Sequence, residues 1–134
     1  MWDTLHVNAP SSKELIWVGS SLKDLRRFPE EVRQIMGFAL YLAGTGSKHP
    51  AAKPLKGFRG ASVLEVVDDY QSDAYRVACT LRFAGCVDVL HAFQKKAKRG
   101  VATPKRDTDL VCERLEQARL IDAGHRPPGA GDGA

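Results

Sequence analysis

The stretch VLHAFQKKAKRGVATPKRDTDL, Val89 to Leu110, changes character twice. Its first part, through Gln94, is apolar, rich in β-formers and reads as a strand. Lys95, Lys96, Lys98 and Arg99 then place four cations within five positions. Thr103-Pro104 opens a helix, with Thr103 as its cap and Pro104 at the first helical position, where the missing N–H costs nothing. Asp107 and Asp109 suit the positive end of that helix, and Leu110, Val111, Leu115 and Ala118 can bury a stripe along it. A strand that feeds directly into concentrated positive charge either keeps the chain soluble or holds an anion against a sheet.

Upstream lies the strand's expected partner. Ala74 to Phe83 (AYRVACTLRF) and Cys86 to Gln94 (CVDVLHAFQ) flank Ala84-Gly85, the spacing of a tight antiparallel hairpin. A two-residue loop sets Arg76 opposite Phe93 and diagonal to His91. Val77, Cys79, Leu81, Leu90 and Ala92 then share one face. Arg76, Ala78, Thr80 and Arg82 share the other with Val87, Val89, His91 and Phe93. An arginine, an imidazole and an aromatic ring thus converge on a surface leading to Lys95 and Lys96.

Further towards the N-terminus, Ala61 to Val67 reads as a strand, followed by a polar turn from Asp68 to Asp73. Ala52 to Phe58 (AKPLKGF) is a loop or short edge strand, because Pro54 cannot donate to a ladder. Val32, Ile35, Met36, Ala39, Leu40 and Ala43 recur at helical spacing after Pro29, which predicts an amphipathic helix ending at Gly44 to Ser47. A shorter helix precedes it, capped by Ser21 with Asp24 in capping-box spacing. Lys13 to Val18 reads as the first strand. The order predicts an α+β fold: a small antiparallel or mixed sheet packed by an N-terminal helical hairpin and a C-terminal helix. Residues 1–12 form an extension, residues 13–121 the domain, and residues 122–134 a Gly- and Pro-rich disordered tail.

The totals narrow the function. A chain of 134 residues is one domain, and no apolar run spans a bilayer. No secretory signal is visible, so a cytoplasmic location is expected. Cys79, Cys86 and Cys112 form no CxxC pair and read as reduced, buried thiols; no metal site or cofactor is expected. The net charge of +4 is unevenly spread: residues 85–106 carry six Lys/Arg against Asp88 alone. Such blocks mark either a solvated face or a polyanion-binding surface.

Cleaving RNA without a metal requires that a 2′-hydroxyl lose its proton, that the leaving 5′-oxygen gain one, and that cations stabilise the phosphorane-like transition state. Histidine carries protons near neutral pH, arginine forks onto phosphate oxygens, and aromatic rings stack on unpaired bases. Arg76, His91, Lys95 and Lys96 are the candidate catalytic residues. Lys56, Arg82, Phe93, Lys98, Arg99 and Lys105 are candidate RNA contacts. Each has a duller alternative: Arg76 pairing with Asp88 or Glu65, His91 and Phe93 in the core, the lysines solvated.

The residues SSLKDLRRFPEEVR (Ser20 to Arg33), AKPLKGF, YRVACTLRF (Tyr75 to Phe83) and, above all, VLHAFQKKAKRGVATPKRDTDL resemble the RelE/ParE superfamily of type II toxins, most closely its HigB-like, phage-derived branch. The resemblance covers roughly residues 13–120. It implies an mRNA endonuclease that works on translating ribosomes, near the decoding site of 16S rRNA. A helix-turn-helix antitoxin of the HigA-like kind would restrain it. It also implies roles for Arg76 in the active site and for Lys95 and Lys96 at phosphates. Two features depart from the family pattern. Leu64-Glu65 is followed by Val66-Val67-Asp68, where many relatives have a basic residue, and residues 103–120 lack the tyrosine of RelE-type members. The acid and the base are thus left unassigned beyond His91. Gyrase inhibition of the ParE kind and a non-catalytic nucleic-acid- or antitoxin-binding module are the alternatives.

Overall fold

The computed structural model describes residues 13–47, 49–58, 63–95 and 103–125. Lys96, Lys98 and Arg99, and the expected extension at residues 1–12, lie outside this set. Among the described residues the elements run β1 (Glu14–Trp17), α1 (Ser21–Leu25), α2 (Glu30–Gly44), β2 (Ala52–Pro54), β3 (Val63–Tyr70), β4 (Asp73–Thr80), β5 (Cys86–Lys95) and α3 (Lys105–His125). The strands form one sheet in the order β1-β5-β4-β3-β2. β1 runs parallel to β5 and every other pair is antiparallel, so the sheet is mixed. This is the expected α+β, RelE-like architecture.

Alternation along β4 sends its side chains to two separate cores. Tyr75, Val77 and Cys79 meet Leu25 and Phe28, together with Val32, Met36 and Leu40 of α2. Ala78 meets Val111 and Ala118 of α3, with Leu90 and Val63 beside it. The helical hairpin therefore covers one face and α3 the other. Ile35 alone of the expected α2 stripe stays 36% exposed. Pro29 precedes α2, and its carbonyl accepts the Arg33 N–H at 2.9 Å.

The β4–β5 connection is longer than a two-residue loop: Leu81 to Gly85 lie outside both strands. Arg76 nevertheless faces Phe93 and Ala78 faces His91, as expected. A β-bulge reconciles the two findings, because Cys79 pairs with Val89 and leaves Leu90 as the extra residue. The bulge moves Leu90 to the α3 side and Val87 and Val89 to the hairpin side, reversing their expected faces. Arg82 sits in the loop rather than on the strand face.

The tight turn is at the other end of β4. Asp68, Asp69, Tyr70 and Asp73 belong to strands, and only Gln71 and Ser72 connect them, with φ of 50° and 75°. Both signs match the turns that suit the strand twist. α3 runs on through Asp122 to His125, into the segment expected as tail. Of the cysteines only Cys79 is buried; Cys86 is half-buried and Cys112 exposed.

Candidate functional site

The face beneath the start of α3 brings together side chains from three strands. Glu65 on β3, Arg76 on β4 and His91 on β5 are 3%, 4% and 6% exposed. Groups this polar stay buried only when partnered. Arg76 Nη1 donates to Thr103 Oγ1 at 3.0 Å, and Thr103 Oγ1 donates to Glu65 Oε2 at 2.7 Å. Nη1 also lies 3.5 Å from that carboxylate oxygen. Of the two acids weighed for Arg76, it is Glu65 that it meets.

Thr103 therefore joins the arginine to its acid instead of capping the helix through its hydroxyl. The carbonyl of Pro104 accepts the N–H groups of Asp107 and Thr108, each at 3.0 Å, and the helix proper begins at Lys105. Pro104 thus stands just outside the first helical position. The local caps of α1 differ in the same way. Ser20 Oγ donates to Asp24 Oδ2 at 2.7 Å, and Ser21 Oγ reaches the Val89 carbonyl at 3.0 Å.

His91 Nε2 lies 2.8 Å from Asp107 Oδ1. A carboxylate can only accept at that nitrogen, so Nε2 donates to it. Nδ1 is buried and has no hydrogen-bond partner among the described residues. The ring stacks on Phe93, centroids 4.6 Å apart and planes 17° from parallel. Asp107, expected only to complement the helix dipole, thus also fixes the imidazole.

The remainder of α3 is fastened at the bulge. Leu90 is the extra residue there, and Arg114 Nη1 donates to its carbonyl at 3.1 Å. Arg114 Nη2 donates to Ser20 Oγ at 3.0 Å, tying α3 to α1. Farther along β5, burial first and Asp122 second push the Asp88 carboxyl up to about 6. Burial, with Asp88 nearby, pushes the Cys79 thiol up to about 12 and makes it a poor nucleophile.

The other expected residues are dispersed. Phe93 and Lys95 are half-buried at the end of β5, with Lys95 opposite Ala74. Lys56 is exposed after β2, Arg82 is exposed in the β4–β5 loop, and Lys105 is exposed and paired with Asp109 at 2.8 Å. Arg76, His91 and Phe93 are thus brought together, with Lys95 at the strand end; Arg82 and Lys56 are not part of that group. Glu65, Thr103 and Asp107 complete it. Among the described residues no group of three or more His, Cys, Asp or Glu side chains could hold a metal, and no helix is long and apolar enough to cross a membrane.

No match was found among curated proteins, and none among solved structures. The family model described as Phage derived protein Gp49-like (DUF891) matches residues 23–116, from α1 well into α3. With most of its folded length covered, the chain belongs to the Gp49-like family, which is part of the RelE/ParE-like toxin clan and is associated with the toxins of toxin–antitoxin systems.

Proposed function

We propose that the protein is a metal-independent endoribonuclease toxin that cuts mRNA on translating ribosomes and is neutralised by a helix-turn-helix antitoxin of the HigA-like kind. The convergence of Arg76, His91 and Phe93 on one sheet face, with Lys95 where β5 ends, carries this reading. The 2′-oxygen bonds to phosphorus as its proton leaves, and the bond from phosphorus to the 5′-oxygen breaks as that oxygen takes a proton. The products are a cyclic phosphate and a 5′-hydroxyl. Arg76 holds the scissile phosphate, aided by Lys95 and Lys96. His91 is the proton carrier. Phe93 supplies a stacking plane, and Lys56, Arg82, Lys98, Arg99 and Lys105 serve flanking phosphates or ribosomal RNA.

The burial of Arg76 and His91 favours a second reading, in which the network is structural and the protein binds its target without cutting it. Mapping mRNA ends by primer extension in a reconstituted translation reaction, with and without ribosomes, separates the two. Ribosome-dependent cuts support the enzyme; intact mRNA bound with steep salt dependence supports the binding module.

A further inference from the structure

Arg76 and His91 are both more than nine-tenths buried, and the segment leading into the first turn of α3 bonds to each of them. One nitrogen of each is engaged by that segment. Arg76 Nη1 is bonded to the Thr103 hydroxyl at 3.0 Å, and the nitrogen of His91 that carries the hydrogen bond is bonded to the Asp107 carboxylate at 2.8 Å. Carboxylate and hydroxyl oxygens offer these donors the same acceptor chemistry as phosphate oxygens.

We propose that the segment from Thr103 to Asp107 is a latch, with Asp107 standing in for a substrate phosphate, and that an RNA strand opens it by taking over the donors of Arg76 and His91. The inference rests on the ribonuclease reading of this site and adds its regulation.

The attachment of α3 is divided in a way that permits such opening. Its buried apolar residues, Val111 and Ala118, lie beyond the first turn. Arg114 pins the same part of the helix to the Leu90 carbonyl and to Ser20. The segment before Val111 meets the site through polar contacts, Thr103 with Arg76 and Glu65, and Asp107 with His91. First turns lack intrahelical partners for their N–H groups and open at low free-energy cost. A polyanion can therefore compete for the polar ties while the apolar seat keeps the helix in place. Opening releases Thr103 from Arg76 and Asp107 from His91, while the Arg76–Glu65 contact stays within the sheet.

A closed state lowers apparent affinity by the fraction of molecules that are open. Asp107→Asn removes the charge that mimics phosphate and keeps an oxygen acceptor. The probe is a 2′-O-methyl RNA of about ten nucleotides, which binds but lacks the attacking hydroxyl. The variant should bind it roughly three- to tenfold more tightly than wild type. In wild type, the same RNA should speed amide exchange in residues 105–109 while residues 111–118 stay protected. Unchanged or weaker binding by the variant, together with unaltered exchange in wild type, overturns the latch. The exchange measurement needs no variant, so a poorly folding Asp107→Asn does not rescue the idea. Tighter binding with no cleavage of ordinary mRNA leaves the latch standing and rejects the nuclease. Cleavage without the binding and exchange changes does the reverse, and absence of RNA binding by either protein rejects both.

Discussion

His91 is held from two directions at once: Asp107 Oδ1 lies 2.8 Å from its Nε2, and Phe93 lies against its plane with centroids 4.6 Å apart. Replacing the imidazole by a phenyl ring keeps the stack and orphans a carboxylate that is only 8% exposed. His91→Phe is therefore expected to cost about 1–3 kcal/mol of folding stability. Adding Asp107→Leu should recover much of it, because the buried acceptor is gone. Urea titrations of the two single variants and the double variant measure the coupling; strictly additive losses would show that the pair is not an energetic unit.

Arg76 and Glu65 make a stronger version of the same case. Removing the arginine strands a carboxylate in the sheet, and Arg76→Leu is expected to lose about 3–5 kcal/mol. The double variant Arg76→Leu with Glu65→Leu should be more stable than Arg76→Leu alone. Thermal unfolding decides it. This coupling also governs how the site is probed: an alanine at Arg76 unsettles the fold as well as the chemistry, so Arg76→Lys is the sounder variant.

Asp88 gives the protein a pH dependence. Its carboxyl is pushed up to about 6 by burial and by Asp122; burial and the Asp88 charge push the nearby Cys86 thiol up, and Cys79 is held neutral by its own burial. The folded state binds the proton more tightly than the unfolded state, so stability falls as pH rises from about 4 to about 6 and stays low above that. Asp88→Asn should remove this slope and gain about 1–2 kcal/mol at pH 8, with no gain near pH 4. Melting temperatures across that range check it, and an unchanged slope in the variant contradicts it.

Gly19, before α1, lies against the Arg114 side chain of α3. Its φ is +59°, and a Cβ there would stand 2.6 Å from Arg114 Nε. Gly19→Ala is expected to destabilise by more than about 1 kcal/mol through backbone strain and displacement of the guanidinium. Arg114→Ala should cost a similar amount by removing the donors to the Leu90 carbonyl and to Ser20. If the two losses arise at the same contact, the double variant loses less than their sum, which equilibrium unfolding will show.

What the sequence made legible was local and periodic. The α2 stripe, the edge character forced by Pro54 and the strand at Val89 could be read directly from apolar spacing and proline chemistry. The Arg76–Phe93 pairing was expected from a two-residue loop and is present with a five-residue connection, because the bulge at Leu90 restores the register. Bulges leave no pattern in apolar spacing, so the faces of Val87, Val89 and Leu90 could not be read. The true tight turn carries Gln71-Ser72 instead of the Asn or Gly that signal such turns. In the site, Arg76, His91 and Phe93 were visible as a strand-face set. Glu65 was one of two acids open to Arg76, whereas the parts played by Thr103 and Asp107 were not legible, because they depend on where α3 lands on the sheet. Asp107 and Thr103 looked like ordinary helix-start residues, and nothing local distinguishes an acid that meets a dipole from one that also meets a histidine.

In the proposed nuclease, Arg76 and His91 cut RNA. The most direct test is primer extension on mRNA from a reconstituted translation reaction, comparing wild type with Arg76→Lys and His91→Gln, each first shown to be folded by its melting curve. Wild type is expected to make ribosome-dependent cuts that fall at least about a hundredfold in each variant. Wild-type cutting that persists undiminished in both folded variants, or mRNA left intact by wild type, would contradict it.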